Sequence, residues 1–194
     1  MNDPVLARII EEVGPCTLKL ERDHFKALAE SIIYQQLSGK AASTIVKRFM
    51  ALYPKRSFPT PKDILRTKDE KLRSVGISPQ KLRYLKDLSQ KFSDGTIDTS
   101  NFKRMSDEEI IDHLIQGKGI GRWTAEMFLI FSLGRPDVLP VDDLGIQKAI
   151  KELYRLHKMP SPDKMRKIGK KWEPYRTVAT WYLWRSQDIV TLAQ

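Results

Sequence analysis

Cysteine is almost absent: Cys16 is the only one in 194 residues. One thiol cannot close an intrachain disulfide. Nor can it supply an all-cysteine zinc site or the four thiolates of an iron–sulfur cluster. Histidine is scarce as well, and His24, His113 and His157 stand at no metal-ligand spacing. No apolar run approaches the length of a membrane span. The opening MNDPVLARIIEEVG carries acids early and lacks the layout of a secretory signal. These gaps point to an intracellular protein without a membrane partner, in the cytoplasm or nucleoid of a bacterium or the nucleus of a eukaryote. Strand-type alternation is confined to Thr17–Leu20, and there is no internal repeat or low-complexity tract.

What the chain does have is positive charge and helical periodicity. Lys and Arg number 34 against 24 Asp and Glu, a surplus of ten that suits a polyanionic partner without proving one. Apolar residues recur at helical spacing in Phe25, Leu28, Ala29, Ile32, Ile33 and Leu37, and again in Ala42, Ile45, Val46, Phe49 and Tyr53. Further stripes are Leu82, Leu85, Leu88 and Phe92, then Ile146, Ala149, Ile150, Leu153 and Tyr154. Helix starts are marked by Thr60-Pro61, Ser78-Pro79 and Ser161-Pro162, with a hydroxyl at N-cap and proline at N1. Ser106 and Glu109 form a capping box ahead of Ile110. The pattern predicts an all-α protein of about ten short helices. Two stretches, 123–133 and 178–184, are apolar on nearly all sides and are expected at the centre.

Residues 114–125, LIQGKGIGRWTA, place Gly117, Gly119 and Gly121 between two helical patterns. A glycine turn that feeds a helix start offers backbone N–H groups to an anion and lets a phosphate approach closely. The spacing fits neither a Walker loop nor a dinucleotide-binding fingerprint. The helix-Gly-x-Gly-helix layout resembles a helix-hairpin-helix, which would imply a grip on the DNA backbone without reading of sequence. The plain alternative is a tight turn between packed helices. Twenty residues after Trp123 comes Asp143, in LPVDDLGIQKAI. By itself it reads as the N-cap of a helix over 144–156.

Taken together, the hairpin, the proline-containing loop and the aspartate at a helix start resemble the HhH-GPD superfamily of DNA glycosylases. Within it, the chain is similar to 3-methyladenine DNA glycosylase II, the AlkA type, in a compact form without an N-terminal β-domain. The resemblance runs through Ile33-Tyr34-Gln35-Gln36-Leu37-Ser38, Phe58-Pro59-Thr60-Pro61, Gly76 to Leu85, Gly119 to Ala125, Pro140 to Ile146 and Trp172 to Trp184. It implies two helical lobes with a cleft between them. A central bundle, 25–139, carries the hairpin at about 107–133. A second lobe, 1–24 plus 140–194, places the catalytic aspartate at the junction. The superfamily spacing of Asp, two residues, then an aliphatic residue selects Asp143, with Asp142 as second choice.

The resemblance further implies a monofunctional glycosylase that hydrolyses the N-glycosidic bond of alkylated bases in duplex DNA by base flipping, within base excision repair. The leading substrate is 3-methyladenine, with 7-methylguanine, 1-methyladenine and ethenoadenine as further candidates. In a second branch of the superfamily a lysine inside the hairpin helix makes a Schiff base; here that position is Trp123, so no lyase activity is expected. Trp123, Trp184, Met127 and Tyr34 are the implied base-pocket residues, an aromatic face being suited to a cationic base. Met127 departs from the family's tyrosine. Trp184 reads equally well as core, and Trp181 better so. Leu37 matches the residue that wedges into the gap left by the flipped nucleotide, with Gln36 toward the opposite strand. Periodicity alone would make Leu37 the end of the stripe from Phe25. The implied DNA contacts are Gly117, Lys118, Gly119, Gly121, Arg122 and Thr124. The main-chain carbonyls of Ile115, Gly117 and Ile120 match the superfamily's site for a structural Na+ or K+. No cofactor is required, no cluster is expected, and the protein is expected to be a monomer. Two rivals remain: a glycosylase of the same superfamily for another lesion, and a non-catalytic helix-hairpin-helix DNA-binding protein.

Overall fold

The computed structural model describes residues 3–192. Among them are eleven α-helices and no β-strand, so the alternation at Thr17–Leu20 comes to nothing. The chain divides into two compact units. One is Glu21–Phe128; the other is the described part of Met1–Leu20 and Leu129–Gln194. The first unit therefore ends at Phe128 rather than at 139.

The 21–128 unit is built on α2 (His24–Tyr34), whose buried face is Phe25, Leu28, Ala29, Ile32 and Ile33. It packs against α3 (Gly39–Ala51), α6 (Pro79–Ser93) and α8 (Arg122–Phe128). Short helices α4 (Pro61–Arg66) and α5 (Asp69–Ser74) lie on α6, and α7 (Asp107–Leu114) packs on α8. Phe25 meets Phe58 and Phe92 edge-on, and Phe49 packs on Phe58. Each such ring or leucine contributes roughly 1.5–3 kcal/mol through burial. Thr60, Ser78 and Ser106 occupy N-cap positions, and the Ser106–Glu109 capping box is complete. Leu37 does not continue the α2 stripe. The helix ends at Tyr34, and Leu37 is exposed beyond it.

The turn between α7 and α8 leaves little room for a side chain. Gly119 has φ +81°, and a Cβ there would lie 2.1 Å from the Tyr84 ring on α6. A non-glycine residue would be strained and would collide as well.

The second unit joins α1 (Pro4–Val13), α9 (Leu144–Leu153), α10 (Pro162–Gly169) and α11 (Arg176–Leu192). Leu6, Ile9, Ile146, Ala149, Ile150, Met165, Trp172, Ala179 and Leu183 form its core. Helix α9 stops at Leu153 rather than at 156, and Arg155 just beyond it has φ +52°. The helix of α8 runs on into a π-turn over Leu129–Leu133. The apolar stretch 123–133 is not wholly interior, because Trp123 is 46% and Phe131 37% exposed. Trp181 is half-buried, edge-on to Tyr182.

Asp3 fastens the start of this unit to its end. It caps α1 through Val5 N–H, and its other carboxylate oxygen accepts from the Tyr154 hydroxyl, the Trp172 indole N–H (2.8 Å) and Lys171 (3.0 Å). Burial pushes the Asp3 carboxyl up, but the bonds from Tyr154, Trp172 and Lys171 outweigh it and hold it below its ordinary range. Breaking a buried charged cluster of this kind costs about 3 kcal/mol.

Asp3→Ala should accordingly lose about 3 kcal/mol in urea unfolding at neutral pH. A carboxylate whose folded pKa is depressed stabilises above its unfolded value, about 3.9, and loses that stabilisation as pH falls through the folded value. The gap between Asp3→Ala and the parent should therefore shrink below about pH 4; an equal gap at pH 3 and pH 7 would contradict the ionised cluster. Separately, Gly119→Ala should lower stability by about 3 kcal/mol, while Gly121→Ala, with open space around its Cβ, should cost far less. Equal melting of the two variants would show that the Tyr84 contact is not binding on the turn.

Candidate active site

Asp143 is placed by a loop that is tied down before it reaches α9. Arg176 at the start of α11 forks onto Asp137, with Nε–Oδ1 at 2.7 Å and Nη2–Oδ2 at 2.8 Å. The Thr177 hydroxyl donates to Arg135 O and accepts from Val138 N–H. Val141 O accepts from the Gln147 side-chain amide, and Asp143 N–H closes a turn onto Pro140 O. The carboxylate of Asp143 then sits at the N-cap of α9.

Its Oδ1 accepts two N–H donors, Ile146 N at 2.9 Å and Trp184 Nε1 at 3.0 Å. The residue is 9% exposed. The Trp184 indole is in turn stacked on Phe131, 5.6 Å between ring centres and 23° from parallel. Gly145 makes room for the pair: a Cβ there would lie 3.1 Å from Asp143 Oδ1 and 3.3 Å from the indole. The cap that sequence alone suggests is thus present, and the same oxygen is also held by a tryptophan. Asp142 is exposed next to it. Sequence reasoning alone does not single out Phe131 or Gly145. Gly145 lies within the Asp143–Ile146 spacing, but its reason is a contact with a side chain far along the chain, which no local pattern shows.

The other candidate residues lie in the 21–128 unit. Tyr34, Leu37 and Trp123 are large apolar side chains left exposed, and Met127 is half-buried. Gln36 adopts a left-handed backbone, φ +55°, uncommon for a residue of this type. Gln35 beside it donates to Gly119 O at 2.7 Å, so the loop after α2 and the glycine turn are one fixed piece. Asp87 on α6 accepts from Lys118 N–H at 2.9 Å and stands 3.8 Å from its Nζ. The Lys118 side chain itself is 71% exposed.

Two of the expected DNA contacts have side chains engaged within the fold. The Arg122 guanidinium is forked onto Glu108 on α7, and its Nε donates to buried Glu126 one turn on. It braces the two hairpin helices while its side chain stays 48% exposed, and the Glu108 pairing raises its pKa further above an already high value. The Thr124 side chain is buried, so only its main-chain N–H, in the first turn of α8, stands where a helix has no internal partner. Neither Asp87 nor Glu108 is signalled by sequence; their partners lie 31 and 14 residues away.

The carbonyls of Ile115, Gly117 and Ile120 belong to the same turn. Ile115 is the C-cap of α7, where last-turn carbonyls lack helical donors, and Gly117 O accepts from Ile120 N–H. A set of neutral carbonyls at a helix C-terminus fits a monovalent cation rather than a divalent one. Among the described residues no group of three or more His, Cys, Asp and Glu is arranged to hold a metal ion. No helix among them is long and apolar enough to cross a membrane.

Comparison with known proteins places the chain in a family. Residues 29–174 match the model of the HhH-GPD superfamily base excision DNA repair proteins. The DNA-3-methyladenine glycosylase 1 of Schizosaccharomyces pombe is 38% identical over 95% of this chain and 81% of its own length. The putative DNA-3-methyladenine glycosylase YfjP of Bacillus subtilis is 36% identical over 93% of this chain and 65% of its own length. Among solved structures, the Schizosaccharomyces pombe 3-methyladenine DNA glycosylase in complex with abasic DNA superimposes with a TM-score of 0.85 at 38% identity, covering 96% of this chain and 93% of that one. A DNA-3-methyladenine glycosidase from Bacillus halodurans gives 0.85 at 39% identity, covering 95% and 84%. The chain, with its glycine hairpin and its capped aspartate, belongs to the HhH-GPD superfamily of base excision DNA repair proteins.

Proposed function

We propose that this protein is a monofunctional DNA glycosylase that hydrolyses the N-glycosidic bond of alkylated bases in duplex DNA, with 3-methyladenine as its leading substrate. The observation that carries the reading is the Asp143 carboxylate, held by two N–H donors on one oxygen and nine-tenths buried. The named activities of the relatives support the same substrate class.

Rupture of the C1′–N bond leaves positive charge on the sugar. A carboxylate already fixed in orientation stabilises that charge without reorganising as it develops. The base leaves with the bonding electrons, and an alkylated, cationic base departs neutral. Water adds its oxygen to C1′, and Asp143 is the group placed to orient it and take its proton. No amine stands at Trp123, so the sugar is not captured as a Schiff base, and the product is an abasic site in an intact strand.

The exposed faces of Trp123 and Tyr34 suit an electron-poor base taken out of the stack, and Met127 adds a soft apolar wall. Leu37, outside its helix and exposed, suits the wedge, with Gln36 beside it. The main-chain N–H groups around Gly119, Gly121 and Thr124, with Lys118, suit a phosphate. The carbonyls of Ile115, Gly117 and Ile120 would hold a monovalent cation, whose charge favours that phosphate. A monomer is sufficient for this chemistry.

Release of methylated bases from methylated duplex DNA, followed by chromatography, tests the reading. Asp143→Asn should lower 3-methyladenine release by roughly 100- to 1,000-fold, should leave abasic-DNA binding within a few-fold, and should yield no strand cleavage. Release by the Asn variant at the parent rate would instead favour a non-catalytic hairpin protein.

A further inference from the structure

The hairpin does not account for the protein's positive charge. Residues 148–171 hold nine Lys and Arg against two Asp and Glu, a surplus of seven within 24 residues. They lie on α9, on α10, on the connection between them and on the 3-10 turn Lys170–Trp172 after α10, in the unit that lacks the hairpin. Lys148, Lys158, Lys164 and Lys167 are all exposed.

The acids nearby are already engaged elsewhere. Asp163 pairs with Arg166, Glu173 with Lys170 and Asp3 with Lys171, while Glu152 accepts from the Gln187 amide. None of the four exposed lysines makes an ion pair with a described residue. Lys164 and Lys167 stand on a helix that is capped and packed. Ser161 caps α10, Pro162 starts it, and Met165 and Gly169 bury its inner face. A Cβ on Gly169 would lie 2.7 Å from Leu139. Lys164 and Lys167, three residues apart, share the outer face of α10.

Like charges gathered on a fixed scaffold repel one another, and a polyanion relieves that cost. We infer that Lys148, Lys158, Lys164 and Lys167 form a second phosphate-binding surface, which grips duplex DNA independently of the hairpin and of the damaged base. Only the identity of the polyanion rests on the glycosylase reading. The surface adds sequence-independent affinity and steepens the salt dependence of binding.

The test is the affinity for an undamaged DNA duplex, measured by fluorescence anisotropy across a salt series. The parent is compared with the fourfold Lys→Gln variant at positions 148, 158, 164 and 167 and with the fourfold Lys→Arg variant. Removing one lysine–phosphate pairing should reduce the slope of log affinity against log salt by about 0.9. The Gln variant should therefore lose at least about two from the slope and bind at least ten-fold more weakly at low salt, while the Arg variant keeps the parent slope. A loss smaller than that, or an equal loss in both variants, overturns the proposal. So does a loss seen with duplex RNA and not with duplex DNA. Base release under saturating single-turnover conditions should be unchanged in the Gln variant. That arm reports on the glycosylase reading separately, because a protein that releases no base in any form fails there and not in the salt series.

Discussion

In the proposed reaction, the hydrogen bond from the Trp184 indole to Asp143 Oδ1 is the constraint on which the chemistry depends. A capping aspartate is held by backbone alone at many helix starts, and its carboxylate can still rotate. Here a second donor on the same oxygen fixes the plane of the carboxylate. Much of the surrounding structure serves that bond. Phe131 stacks on the indole, Gly145 keeps its Cβ out of the way, and the Arg176–Asp137 fork with Thr177 ties the approaching loop to the helix that carries Trp184.

The hairpin unit follows the same logic with different materials. Its turn is set by the Tyr84 ring under Gly119, by Gln35 on the Gly119 carbonyl and by Asp87 on the Lys118 amide. The Arg122 guanidinium, with Glu108 and Glu126 as partners, locks α7 to α8. A phosphate meeting this turn would find donors that need little reordering, and affinity is gained mainly where ordering costs are already met. Tyr34, Leu37, Ile115 and Trp123 are large apolar side chains that this unit leaves exposed.

Helix starts, core stripes and the glycine turn are legible in the chain, because caps and periodicity are local. Asp143 is legible as a cap on its own, and the catalytic role proposed for it comes only by resemblance. The bracing role of Arg122 is not legible, because its acidic partner Glu108 stands on the neighbouring helix. The stretch 123–133 misleads, since a continuous apolar run does not say which residues face a core and which stay exposed. Leu37 is the reverse case, where periodicity favours burial and the end of α2 at Tyr34 puts it outside. Asp87, Gly145 and Phe131 owe their roles to contacts across the fold, which composition and spacing do not encode.

The most direct measurement is single-turnover excision of 7-methylguanine by Trp184→Phe, set beside its affinity for abasic DNA. Phenylalanine keeps a ring on Phe131 and removes the N–H that holds Asp143. The account predicts a maximal rate lowered at least ten-fold, in line with the roughly 1.5–3 kcal/mol of a hydrogen bond to a charged group, with abasic-DNA affinity within three-fold of the parent. An unchanged maximal rate with weakened binding would contradict it, and would make Trp184 a stacking surface and nothing more.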